Sequence, residues 1–291
     1  MEFGTGKSQY SLFQKIVVNL LLIVCFAFLL FPVYWVVTMA FKSHEDILVW
    51  PPKFLFKPSL ENFKNITTAV RVARVGAVST DFLKGFVNSL IITVSAMLLS
   101  LITGIPASYA LGRFRFKGKD DIAFTFLSFR FAPELLVIIP IYLIFQQIGL
   151  YDTYIGLIWV YQLITMPMVI WILMSYFEEI SIELEQASLV DGFPPLRTFW
   201  RIILPMAKPG IAAASLLAFI YAWNNFIFAL ILGSSKVQPV TVSALKFITA
   251  EKLRYGDIAA ACVLAAIPIF LLSVYAQRYM VRGLSLGAVK Q

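Results

Sequence analysis

The sequence predicts an all-helical integral membrane protein, a bundle of six transmembrane helices. Composition is the first reason. Of the 291 residues, 60 % are apolar and 14 % are charged, whereas a soluble globular chain carries about 25 % charged residues. So few charges cannot cover the surface of a soluble fold. The second reason is distribution, because the charges cluster at the borders of long apolar windows. The third is the lack of any segment with the composition of a soluble domain, any tandem repeat or any low-complexity tract. The excess of eight positive charges flanks the apolar runs instead of forming a stripe, which argues against nucleic acid. Cys25 and Cys262 lie inside apolar runs and imply no disulfide framework. His44 is the single histidine, which excludes a multi-histidine metal site within the chain.

Each span follows from a charge-poor window, since a bilayer core needs about 20 mainly apolar residues. No charge occurs between Lys15 and Lys42, between Lys84 and Arg113, between Asp152 and Glu178, between Lys208 and Lys236, or between Asp257 and Arg278. The stretch from Ile122 to Tyr151 is interrupted only by Arg130 and Glu134. The predicted spans are 16–41, 85–112, 122–147, 153–177, 209–232 and 258–277, preceded by a tail over 1–15. All must be helices, because open strands leave backbone groups unpaired in lipid. The first window is longer than a signal-peptide core and lacks a small-residue cleavage site, which predicts a retained helix.

Sidedness follows from the short loops. Arg113, Arg115, Lys117 and Lys119 crowd the connection between spans two and three, and Gly149–Asp152 carries no basic residue. Positive-inside logic places the first loop, and with it both termini, in the cytoplasm. Lys7 and Lys15 before span one, and Arg278, Arg282 and Lys290 after span six, fit that orientation. The outer segment from Lys42 to Asp81 has prolines at 51, 52 and 58, predicting a turn-rich connection followed by a short surface helix.

The cytoplasmic segment 178–208 is too patterned for a plain connector. Ser181 followed by Glu183 and Glu185 predicts a helix start. Gly192 is placed to stop that helix, Pro194 and Pro195 cannot continue it, and a second helical stretch runs to Pro205. Its apolar residues are scattered around the helix axis, and its five acids against three bases suit an anionic lipid face poorly. A protein partner is the better reading.

Here the residues carry a resemblance. Gln186-Ala-Ser-Leu-Val-Asp-Gly192, nine residues, then Ile202-Ile-Leu-Pro205 is similar to the EAA loop of bacterial ABC-importer permeases, E-A-A-x-x-x-G-x9-I-x-L-P. Gln186 stands in place of the glutamate and Ser188 in place of the second alanine, while Glu185 lies one position early. Phe31-Pro-Val-Tyr-Trp35 with Phe41-Lys-Ser43, Asn88-Ser-Leu, Ser108-Tyr-Ala-Leu-Gly-Arg-Phe-Arg-Phe116, Trp223-Asn-Asn-Phe226 and the tail from Gln277 to Lys290 extend the likeness. The chain resembles sugar-importer permeases of the MalG type over essentially its whole length.

The resemblance implies a type I importer permease fold in a bacterial inner membrane. It implies a second, related permease, a dimer of cytoplasmic ATPase subunits and an external solute-binding protein that delivers a carbohydrate. Coupling to the ATPase would fall to Glu185, Gln186, Ala187, Ser188, Asp191 and Gly192, with Leu204 and Pro205 setting the exit; the C-terminal tail would also reach the ATPase. No phosphate-loop motif is present, so ATP and Mg are expected in the partner and no cofactor in this chain. No nucleophile–base pair appears, which argues against an enzyme.

Polar residues inside the spans are the candidate substrate path. Arg130 and Glu134 are four apart, so a continuous helix puts them on one face, where they can pair. Both a packing ion pair and a substrate-path role are open. In span five, Tyr221, Asn224, Asn225 and Phe228 follow helical spacing, and amides beside aromatics suit sugar hydroxyls and ring faces. In span four, Tyr161, Gln162 and Thr165 form a similar face, better read as interhelical hydrogen bonding. Gly104 and the prolines at 106, 140, 167 and 268 are read as kinks absorbed by neighbouring helices. Rival readings are a self-contained secondary transporter or channel with an Arg130–Glu134 relay, and a membrane scaffold without flux.

Overall fold

A computed structural model describes residues 12–67, 70–72, 76–78, 82–247 and 254–287 of the chain. Helix α1 (Leu12–Phe41) crosses first. At about 1.5 Å per residue it is longer than a bilayer core is thick. Helices α2 (His44–Leu48) and α3 (Glu61–Thr67) and a small antiparallel hairpin, β1 (Val70–Val72) with β2 (Gly76–Val78), follow outside the spans. The short surface helix expected after the prolines is α3, and α2 before them and the hairpin after it were not expected. Asn62 ties this segment down by donating its side-chain amide to the carbonyls of Ala40 and Lys42 at 3.0 and 2.8 Å.

Helices α4 (Phe82–Arg113) and α7 (Tyr154–Glu179) form the central pair. Gly104 and Gly112 allow the close approach: a Cβ on Gly104 would collide with Val169, and one on Gly112 would crowd Phe177. Between these two helices lie Gln162, donating to the Ala96 carbonyl at 3.2 Å, and Ser100, which reaches Gln162 and Thr165 at 2.6 Å each. The polar face of span four thus staples α4 to α7, and Tyr161 is buried with it.

Span three departs from expectation. It is a bent pair, α5 (Lys119–Phe129) and α6 (Glu134–Gln147), with 91° between the axes. Pro133 is the cause, because it lacks an N–H and drives the preceding residue out of the helical region. The prolines at 106, 140, 167 and 268, by contrast, stay inside helices.

After α7 come α8 (Ile182–Val190), α9 (Pro195–Thr198), a π turn over Phe199–Ile203 and α10 (Leu204–Met206). The fifth span begins with α11 (Lys208–Asn224), at 71° to the 195–206 stretch. It breaks at Asn225, whose φ of −65° and ψ of 124° are extended, and resumes as α12 (Ile227–Leu232). Then follow α13 (Val240–Ser243), a 3-10 turn over Ala244–Phe247 and α14 (Tyr255–Gly287), the sixth span. Among the described residues four unbroken helices are long and apolar enough to cross a bilayer, and the two bent pairs raise the number to as many as six.

Arg113, Lys119, Glu178 and Lys208 lie toward one end of the bundle, and Ala40, Phe82, Val240 and Ala259 share a core cluster toward the other. Nearly every side chain of α1 is exposed, Phe28 at 79 %. Such a surface suits lipid or another membrane subunit, not water.

Candidate functional site: two helix breaks and a helix–turn–helix loop

The two breaks meet. Arg130, just after α5, donates from Nη2 to the Tyr221 hydroxyl at 2.9 Å, and its guanidinium carbon lies 5.1 Å from the Tyr221 ring centre. Glu134, the first residue of α6, accepts from the Asn225 amide at 3.1 Å. The expected Arg130–Glu134 pairing on one helical face is therefore corrected. The kink at Pro133 separates the two residues, and each finds its partner on the fifth span.

Asn225 holds the second break in place. Its side-chain oxygen accepts from the Phe228 N–H at 3.1 Å, capping the start of α12, and its carbonyl accepts from Thr241 at 3.2 Å. An asparagine oxygen placed this way satisfies a donor that the helix start leaves unpaired. The helical face expected from Tyr221, Asn224, Asn225 and Phe228 is consequently split. Tyr221 and Asn224 are exposed, while Asn225 and Phe228 are buried. Asn224 turns its amide to the Ile220 carbonyl of its own helix at 2.9 Å.

Interrupted backbone and ionisable groups inside a bilayer are tolerated where they are buried in protein or line a wet cavity. Arg130 and Tyr221 are exposed on the isolated chain. Lipid would penalise that exposure by at least about 2.5–3.5 kcal/mol for the charge. This face must meet water or a second subunit.

At the other end, α8 starts and stops as expected. Ser181 caps it by accepting from Glu183 N–H at 3.3 Å. Gly192 has φ +81°, and the Phe193 N–H reaches back to the Ser188 carbonyl at 3.0 Å, a left-handed glycine stop. Ser188, in the place of a consensus alanine, is buried with a partner: its hydroxyl lies 2.6 Å from that of Thr198 on α9. Glu185, one position early, turns inward to Arg113 at 2.9 Å, whereas Gln186, Ala187 and Asp191 are exposed. Leu204 and Pro205 form the short α10 that leads into the fifth span.

Two features escaped sequence reasoning. Arg113 looked like one of four loop cations, and nothing in its local context announces a buried partner 72 positions away (Glu185). Asp152 looked like a window border. It accepts from the N–H groups of Ser234, Lys236 and Val237 at 2.8, 3.1 and 3.0 Å, locking the α6–α7 turn onto the loop after α12. Its positive φ of 54°, uncommon outside glycine, was the only local peculiarity, and sequence does not display it.

These elements define a membrane-spanning transport subunit. Residues 104–286 match the family described as the binding-protein-dependent transport system inner membrane component, and the chain belongs to that family. It is 34 % identical over 287 residues to the diacetylchitobiose uptake system permease protein DasC of Streptomyces coelicolor, covering 96 % of this chain and 99 % of that one. It is 31 % identical to the trehalose/maltose transport system permease protein MalG of Thermococcus litoralis, over 93 % and 94 % of the two chains. The fold matches a chain of a bacterial ABC transporter involved in import of the acidic polysaccharide alginate, with a TM-score of 0.75 and 23 % identity over 94 % of this chain and 99 % of that one. The self-contained transporter is disfavoured, and the Arg130–Glu134 contact that its relay requires is not formed.

Proposed function

We propose that this chain is the MalG-type permease subunit of a bacterial importer, paired with a second, related permease to enclose a path for a carbohydrate. An external binding protein delivers the sugar, and a dimer of cytoplasmic ATPase subunits, which hold ATP and Mg, drives the cycle. Both termini and the 182–206 loop face the cytoplasm of a multi-pass inner-membrane protein. The observation that carries this reading is the shape of that loop. It is fastened to the spans through Glu185 and the buried Phe199 and leaves large apolar side chains uncovered among exposed polar ones, with Val190 88 % and Leu196 71 % exposed. Uncovered apolar anchors with polar neighbours on a rigid support are what a partner protein needs.

The sugar path runs past the two helix breaks. Tyr221 offers a ring face, while Arg130, Asn224 and Glu134 offer donors and acceptors at the surface that the second permease would close. The names of DasC and MalG, which refer to diacetylchitobiose and to trehalose and maltose, support a solute of disaccharide size.

The test is affinity purification from the native membrane of wild type and Gly192→Glu. A left-handed position penalises any residue with a Cβ by about 1–2 kcal/mol, so the substitution disturbs the end of α8. An ATPase and a second permease co-elute with wild type, and the ATPase is lost from the variant. A wild-type chain that elutes alone would refute the reading.

A further inference from the structure

The cytoplasmic end of the bundle contains a joint that the docking of a partner does not itself require. Arg113 is the last residue of α4. Its Nη2 donates to the Ile180 carbonyl at 2.5 Å, just where α7 ends, and its Nε lies 2.9 Å from Glu185 Oε1 on α8. The side chains of Arg113 and Glu185 are only 8 % and 19 % exposed. One planar guanidinium thus links three helices, by a hydrogen bond to the end of α7 and a close charge pair with α8 that is not aligned as a hydrogen bond.

Aromatic packing backs the joint. Tyr109, one turn before Arg113, lies 5.4 Å from Phe177 of α7 and 4.7 Å from Phe199 of the π turn, ring centre to ring centre. Phe177 and Ile203 are fully buried beside them. Lys119 of α5 adds an ion pair to Glu178 at 3.5 Å. Without this set, the only link from α8 directly to α7 would be the extended backbone of Ile180 and Ser181, which could absorb a push, while the Ser188–Thr198 contact ties α8 only to α9.

We infer that Arg113 is a positioning residue that makes α8, α4 and α7 one rigid lever, so that displacement of the loop moves the spans instead of bending the 180–181 link. The inference rests on the proposed docking of an ATPase on α8. It also assigns Glu185 an inward role in the joint, leaving Gln186 among the outward-facing residues.

The experiment uses the complete importer with single-cysteine spin labels at Glu183 on α8 and Leu98 on α4, Cys25 and Cys262 having been changed to serine. Distances are recorded without nucleotide and after trapping with ATP and vanadate. Wild type keeps one narrow distance in both states. Because an unpaired buried charge alone destabilises, the test variant is the neutral pair Arg113→Gln/Glu185→Gln. It retains the ATPase but loses the single narrow distance on trapping.

A neutral pair as narrow as wild type in both states would overturn the lever, as would a wild-type distance that shifts on trapping. Loss of the ATPase from the neutral pair would assign these residues to docking and overturn it too. Absence of the ATPase from wild type would refute the underlying docking reading, and is visible before any distance is compared.

Discussion

At the scale of single residues, Asn224 and Asn225 show how two adjacent, identical side chains part company. Asn225 supplies a donor to Glu134, an acceptor to Phe228 and a carbonyl to Thr241 from a buried site. Asn224 is exposed and spends its amide within its own helix. Removing one partner of a buried polar set costs about 1–3 kcal/mol. Asn225→Ala should therefore lower both the melting temperature of the purified complex and its sugar uptake. Asn224→Ala should leave melting unchanged and raise the KM for uptake. Equal effects of the two substitutions on melting would contradict the split. Sequence spacing put both on one face because it assumed an unbroken helix. The extended backbone at Asn225 is stabilised by contacts from α6 and the 239–243 region, which no local pattern in span five reveals.

At the scale of elements, the helices and turn of the 182–206 loop were legible nearly to the residue. Its signals are local: Ser181 as cap, Gly192 as left-handed stop and prolines as breakers. What spacing did not reveal is how α8 and α9 meet. Ser188 and Thr198 pair in a buried contact at 2.6 Å, where the consensus has an alanine at the first position. Replacing both hydroxyls by apolar groups of similar size is far cheaper than replacing one. Ser188→Ala should cost about 1 kcal/mol, and the double change Ser188→Ala/Thr198→Val should cost clearly less than the sum of the singles. A double-mutant cycle on thermal unfolding measures this, and strict additivity would mean that the two hydroxyls do not interact. Span three failed for the opposite reason. Its mean composition reads as one helix, but Pro133 between two ionisable residues converts it into two helices at 91°.

At the scale of the whole molecule, the end of the bundle opposite the 182–206 loop is held by a polar clamp. Lys84 and Asn88 donate to the Ser235 and Gln238 carbonyls, the Ser89 hydroxyl accepts from Val240 N–H, and Asp152 gathers three N–H groups from the same loop. Burial works to raise the Asp152 pKa, but the hydrogen bonds from Ser234, Lys236 and Val237 outweigh it and hold the carboxyl below its usual value. Its contribution to stability is present in full above the unfolded pKa of about 3.9 and fades as pH falls through the lower folded value. Asp152→Ala should melt a few degrees below wild type at pH 6, with the gap shrinking as the pH drops below about 3.9. A gap independent of pH would show that the charge is not what holds the loop.

By itself, the sequence determined the membrane environment, the long apolar helices and the helix–turn–helix shape of the 182–206 loop. These follow from short-range quantities: apolar length against bilayer thickness, charge at loop borders, and cap and breaker residues. Tertiary structure alone decided which polar groups meet. Arg130 faces Tyr221, Glu134 faces Asn225, Arg113 reaches Glu185 and Asp152 holds residues 234–237. In a low-dielectric bundle an unpaired polar group is costly, which favours a partner for each of these residues. Which partner it finds depends on where the helices break and cross, and that is set by the packing of the whole chain.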